Sequence, residues 1–168
     1  ERHEDWVTAL TFSADGKLLA SADRAGFVAV READNGREVH QMKASEGTVA
    51  DLAFAPNSNY LATAGADRSV CLYRMRDGRR MFREQRHQDQ VLGIAFRSST
   101  HLVSSGADGR ILHWKSNGSR ETELPRVRDW VYDIAASTDG SRIFTADWLG
   151  RVLAIDIKTR KVLNELTP

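Results

Sequence analysis

The chain places the three residue types of a hydrolytic triad in one short stretch: His87, Ser104 and Asp108. A histidine oriented by a carboxylate can take the proton of a serine hydroxyl and make it a nucleophile. Geometry and role define such a triad, however, not composition. No glycine-flanked nucleophile elbow surrounds a serine here. Metal chemistry is supported no better. Among His3, His40, His87, His101 and His113, none stands at ligand spacing to another histidine or to the one cysteine. That cysteine, Cys71, sits among apolar neighbours, where a thiol is buried and inert. No catalytic residue, metal ligand or cofactor is therefore expected, and the chain reads as a non-enzyme.

Two further stretches invite a chemical reading. In RMRDGRRMFREQR, residues Arg74, Arg76, Arg79, Arg80, Arg83 and Arg86 could grip phosphate. Asp77 and Glu84 dilute the run, and it falls on a turn and an edge strand, where charge blocks sheet-to-sheet aggregation. A net charge of +1 adds no field that would favour nucleic acid or an acidic membrane. Asn117-Gly118-Ser119 fits a glycosylation acceptor, but without a visible secretion signal it reads as a plain turn. No apolar run approaches the roughly 18 residues that span a bilayer. The expectation is a cytoplasmic chain with no membrane or nucleic-acid partner. One cysteine excludes a disulfide within it.

The elements that position these residues come from a repeat. Four units recur at about 42 residues, anchored on Val7, Val49, Val91 and Val131, a period that matches a propeller blade of four short strands. In the second unit, Val49, Leu52 and Phe54 form a first apolar run, ending at Ala55-Pro56-Asn57. Tyr60 to Thr63 make a second, Val70 to Tyr73 a third, and Arg80-Met81-Phe82 open a fourth. Short runs rich in β-branched and aromatic residues, broken by Gly, Asp and Asn, predict hairpins. Asn35-Gly36, Asp77-Gly78 and Asn117-Gly118 lead into fourth strands, where tight turns need positive φ. Thr159-Arg160 departs from that pattern, so a different turn type is expected there. The units divide the 168 residues at about 1–43, 44–85, 86–125 and 126–168. At 41% hydrophobic and 28% charged, the composition is that of a soluble globular domain.

These units resemble WD-repeat blades, and the third does so most fully, with His87, Ser104, Asp108 and Trp114 at the family's spacing. The resemblance implies that these four form a structural hydrogen-bonded tetrad tying loops to strands rather than a catalytic site. The second unit keeps Thr63, Asp67 and Tyr73 but has Ser45 for the histidine. The first keeps His3 and Ser21, with Ala25 and Arg31 at the Asp and Trp positions. The fourth keeps only Thr145, with Val127, Leu149 and Ile155 elsewhere. Units one and four share a variant turn, SADRAG and TADWLG, whose Asp23 and Asp147 come two residues earlier.

The implied fold is all-β, a propeller with four four-stranded blades per chain. Four blades leave an apolar sheet face at each end. The expectation is that two copies join, blade four of one against blade one of the other, twice over, to close an eight-bladed ring. A closed four-bladed monomer and a fragment of a longer chain are the alternatives. The implied function is a non-catalytic scaffold that binds proteins or peptides on its rim. Its candidate contact residues are Trp6, Arg24, Arg68, Arg110, Trp130 and Trp148, because exposed Trp and Arg dominate interaction hot spots. The competing reading is a unit whose only activity is homodimerisation.

Overall fold

The computed structural model describes residues 3–166, with Arg120 and Glu121 by their backbone alone. All regular structure among them is β. Blade one is β1 (Val7–Phe12), β2 (Leu18–Asp23), β3 (Phe27–Glu32) and β4 (Glu38–Lys43). Blade two is β5 (Val49–Phe54), β6 (Tyr60–Gly65), β7 (Val70–Arg74) and β8 (Arg79–Glu84). Blade three is β9 (Val91–Ser98), β10 (His101–Gly106), β11 (Ile111–Lys115) and β12 (Arg120–Glu123). Blade four is β13 (Val131–Ala136), β14 (Arg142–Asp147), β15 (Val152–Asp156) and β16 (Lys161–Leu166). Each blade is an antiparallel meander in chain order.

The first strand of each blade carries a bulge near its start, at Val7/Ala9, Val49/Asp51, Val91/Gly93 and Val131/Asp133. The extra residue bends the strand and turns backbone amides away from the ladder. These first strands line the inside of the stack, where β1 packs on β5, β5 on β9 and β9 on β13. The fourth strands lie outermost.

The turn into the last strand corrects one expectation. Gly36, Gly78 and Gly118 take positive φ, and Arg160 does the same at φ 56. Its N–H donates to the Asp156 carbonyl at 2.8 Å, as Gly78 does to Arg74 at 2.9 Å. Arg160 therefore completes the same left-handed turn rather than another type. The Asp156 carboxylate holds it in place by accepting from the Thr159 N–H and hydroxyl.

Both faces of an inner blade are buried. One cluster joins Ala20, Ala22, Val28 and Val30 of blade one to Val49, Leu52, Leu61 and Cys71 of blade two. A second joins Ala62, Leu72 and Phe82 to Leu102, Leu112 and Trp114, with Phe82 stacked on the Trp114 ring. A third joins Val103 and Ile111 to Val131, Ile143 and Ile155. The arc does not close on itself, since among the described residues no packing comparable to β1 on β5 joins β13 to β1. Leu10 is 62% exposed, whereas its counterparts Leu52, Ile94 and Ile134 are 5%, 3% and 4% exposed against a preceding blade. No helix here is long and apolar enough to cross a membrane.

A rim held by histidine networks and capped with aromatics

The residues with triad chemistry are consumed in a structural chain. In blade three, His87 Nδ1 meets Asp108 Oδ1 at 3.0 Å and His87 Nε2 meets Ser104 Oγ at 2.8 Å. Trp114 Nε1 donates to the same Ser104 oxygen at 2.9 Å. Asp108 also accepts the N–H groups of Gln88 and Arg110. Burial pushes the Asp108 carboxyl up, but the His87 bond and these amides outweigh it and hold it below the usual carboxylate range. Ser104 and Trp114 are fully buried, so the hydroxyl has no path to a substrate. The group fixes the loop before β9 to the turn after β10.

Blade one reaches the same end by another route. His3 meets Asp23 Oδ2 and Ser21 Oγ, both at 2.7 Å, and Asp23 Oδ1 accepts the Phe27 N–H. The aspartate acts from two residues earlier than in blade three. In blade four, Asp147 occupies that early position and accepts the N–H groups of Leu149 and Arg151, but no histidine is present. The Arg151 guanidinium pairs with Asp147 instead, at 2.8 and 2.7 Å. With Val127 and Ile155 in place of histidine and tryptophan, the buried Thr145 hydroxyl has no partner. In blade two, burial raises the Asp67 carboxyl, and Ser69, the Glu46 N–H and Arg83 together bring it down to about 2.

Strand polarity puts the turns between second and third strands on the same rim as the residue preceding each first strand. One backbone bond marks this corner in all four blades. Arg24, Ala66, Ala107 and Trp148 donate their N–H to the carbonyls of Trp6, Thr48, Gln90 and Trp130. The middle blades have small residues at the turn corner, while the end blades carry large ones. Arg24 lies over the Trp6 ring at 5.5 Å, a cation–π contact, with Trp6 exposed. On blade four, Trp130 and Trp148 lie 6.2 Å apart between centroids, and Tyr132 completes a group of three at 6.1 and 5.6 Å. Trp148 is 66% exposed. Asp5 and Asp129 each accept the N–H of the tryptophan that follows, which fixes the loop carrying it.

The three rim arginines are not equivalent. Arg24 sits at the turn corner. Arg68 takes φ 69 where the other blades have Gly26, Gly109 and Gly150, a left-handed position costly for a residue with a Cβ. Its side chain is exposed. Arg110 is tied down, bonding Glu123 through two nitrogens at 2.9 and 2.8 Å and the Arg86 carbonyl at 2.8 Å. The structure thus brings Trp6 together with Arg24, and Trp130 with Trp148, at opposite ends of the arc. The basic run on β7 and β8 is partly neutralised, with Arg74 on Asp77, Arg83 on Asp67 and Arg86 on Glu84.

Two features escaped sequence reasoning. Tyr132 follows Val131 where the other units have Thr8, Ala50 and Leu92, so an aromatic in that slot was a readable signal. The pair Asp51 and Asp133 shares one position of the bulge, which a register of the repeats would have flagged. Among the described residues, no group of three or more His, Cys, Asp or Glu side chains is placed to hold a metal.

A family model described as "WD domain, G-beta repeat" matches residues 1–30, 36–74 and 79–115. The fourth unit, which lacks the histidine and the tryptophan, lies beyond the match. An uncharacterised WD repeat-containing protein of Synechocystis is 31% identical over 142 residues, covering 83% of this chain and 40% of that protein. Protein HIR1 of Candida albicans is 30% identical over 125 residues, covering 65% of this chain and 14% of that protein. Among solved structures, that of U3-55K superposes with a TM-score of 0.89 at 20% identity, over 99% of this chain and 53% of that one. The RRP9 WD40 repeats give 0.88 at 21%, over 97% and 52%. The chain spans less than half of these curated relatives and about half of the solved chains.

Proposed function

Because this chain belongs to the WD40-repeat family, whose members generally act as protein-interaction scaffolds, we propose that it is a non-catalytic platform that binds a protein or peptide on one rim. The observation that carries the reading is the group Trp130, Tyr132 and Trp148. Trp130 and Trp148 sit in loops and Tyr132 on β13, and the three exposed rings lie within 6.2 Å of one another. A rigid aromatic cluster offers a partner much apolar area at little entropic cost, which is how hot spots work. Trp6 with Arg24 provides a second contact, and Arg68 is exposed at the matching turn of blade two. Arg110, already paired with Glu123, contributes by shaping the turn. No cofactor or metal takes part, and a cytoplasmic location belongs to the same reading.

The test is binding to an arrayed peptide library by the wild type and by Trp148→Ala. The expected result is a set of peptides bound by the wild type and lost by about tenfold or more in the variant, with unchanged melting. Equal binding by both proteins contradicts the assignment of the rim.

A second reading rests on a different observation, the exposure of Val7, Leu10 and Phe12 on blade one. In this reading the chain is half of a ring, and two copies stack blade four on blade one twice to give eight blades with two-fold symmetry. The two readings are compatible. Closure sets Trp6 and Arg24 of one copy beside the aromatic group of the other and makes one continuous rim site.

A further inference from the structure

Blade two departs from the other blades at one turn, on the rim opposite the tryptophans. Tyr60, Arg74 and Arg79 stand in register on β6, β7 and β8, so their side chains leave the same sheet face side by side. Asn59 and Arg76 come from the turns at that end, and with Tyr60 and Arg74 they line a recess of about 340 Å³. The β7–β8 turn is held from several sides. The Met75 N–H donates to the Asn59 carbonyl at 2.9 Å, and His40 Nε2 of blade one meets the Met75 carbonyl at 2.6 Å. Asp77 accepts two bonds from the Arg74 guanidinium, at 3.1 and 2.6 Å, and one from the Arg79 N–H at 3.2 Å.

The charges at this turn do not cancel. Asp77 is spent on Arg74. Arg76 Nε stays 3.8 Å from Asp77, beyond a hydrogen bond, and the Arg76 side chain is 75% exposed. The Arg79 side chain is exposed and makes no ion pair among the described residues. Asp15 of blade one reaches this end, its N–H 3.2 Å from Ser58 Oγ, but its carboxylate turns onto the Ser13 hydroxyl and the Lys17 N–H. Three guanidinium groups against one carboxylate leave two positive charges beside the recess.

The other blades do not repeat the arrangement. At the places of Tyr60, Arg74 and Arg76, blade one has Leu18, Glu32 and Asp34, and blade four has Arg142, Asp156 and Lys158. Blade three has His101 and Lys115, and its turn is one residue shorter. Edge charge alone would guard a strand without a recess and with its arginines paired. Here two planar forks, those of Arg76 and Arg79, stand open next to a fixed third. Such forks match the oxygens of a phosphate. A carboxylate carries one charge, whereas a phosphate monoester carries about −1.5 to −2 at neutral pH and three acceptor oxygens, which answers the charge left over.

We propose that the recess at the β7–β8 turn is a binding site for a phosphate monoester. Arg76 and Arg79 grip the phosphate, Arg74 locked by Asp77 forms the rigid wall, and the Asn59 amide and Tyr60 ring bound the other side. The site sits in an interior blade covered on both faces, and it is independent of the rim reading above.

Titration of the 168-residue chain with inorganic phosphate at fixed ionic strength, followed by amide chemical shifts, tests it. The variants are Arg76→Gln with Arg79→Gln, and Arg80→Gln. Arg80 pairs with Tyr73 and so leaves the opposite sheet face. The expected result is saturable shifts confined to Asn59, Tyr60 and the β7–β8 turn. The dissociation constant should rise about tenfold or more in the double variant and less than about twofold in Arg80→Gln. Affinity should also fall between pH 7 and pH 5, as the phosphate takes up its second proton near pH 6. Two further titrations identify the source of the phosphate. Tighter binding by a phosphoserine peptide supports the site and makes its ligand a modified side chain of a partner. Tighter binding by a sugar phosphate supports the site and makes its ligand a small molecule. Shifts that never saturate, or an affinity unchanged in the folded double variant, overturn the site. Equal affinity for dimethyl phosphate, a diester with one charge, overturns the choice of a monoester.

Discussion

Asp23 and Asp108 hold a histidine against a buried serine from different positions in their turns, which shows that the unit of design is the network rather than the motif. His3 and His87 both end within hydrogen-bond distance of an aspartate and a serine. Removing one member leaves buried partners without a bond, which costs about 1–3 kcal/mol. Asp108→Ala is therefore expected to lower the stability measured by urea unfolding by that amount. Thr145→Val is expected to raise it by about 1 kcal/mol, because the Thr145 hydroxyl is buried with no partner. A fall in the second variant would show that blade four satisfies this hydroxyl after all. The sequence made the third-blade network legible because all four residue types stand at the family's spacing. It did not reveal the substitution of Arg151 for a histidine in blade four, since that pair forms only once the turn is closed. The same limit applied to Arg110, whose capture by Glu123 depends on the third and fourth strands of blade three lying side by side.

At the level of the element, strands and turns were readable because β periodicity and Gly/Asn/Asp punctuation are local. Among the described residues, sixteen strands form four meanders, as the runs of the repeat require. Arg160 was misread, since Gly is only the cheapest residue at positive φ, and an Asx-type anchor from Asp156 suffices to hold an arginine there. The bulges were not readable, because one extra residue leaves no compositional trace. Their consequence is measurable. Burial pushes the Asp51 carboxyl up, the Ile94 and Leu52 amides pull it down, the nearby Asp133 charge adds to the rise, and the result is about 6. Its proton is thus held more tightly in the folded chain than in the unfolded one. This contribution to stability is complete below the ordinary carboxylate value of 3.8 and is lost as pH rises through about 6. Wild type is expected to lose on the order of 1–3 kcal/mol relative to Asp51→Asn between pH 4 and pH 7. Parallel pH profiles for the two proteins would contradict this. Asp67 and Asp108 act with the opposite sign, their stabilisation being present above the usual carboxylate range and lost in acid.

At the level of the whole molecule, each blade buries what its neighbours cover, and the two end blades have a neighbour on one side only. The exposed Leu10, against its three buried counterparts, is the clearest sign that the arc is built to be continued. The sequence showed that four blades leave two apolar faces. It could not show which first-strand side chains stay exposed, because burial is settled only when the blades stack. The rim reading depends on the same geometry. In a closed ring Trp6 and Arg24 stand next to Trp130, Tyr132 and Trp148, and in an open arc they lie at opposite ends. The measurement that tests this account most directly is the solution mass by light scattering on a sizing column. A mass of about 37.6 kDa, twice the 18.8 kDa chain, is the predicted result and makes the rim site a shared one. A mass of about 18.8 kDa at every concentration would contradict closure by a second copy.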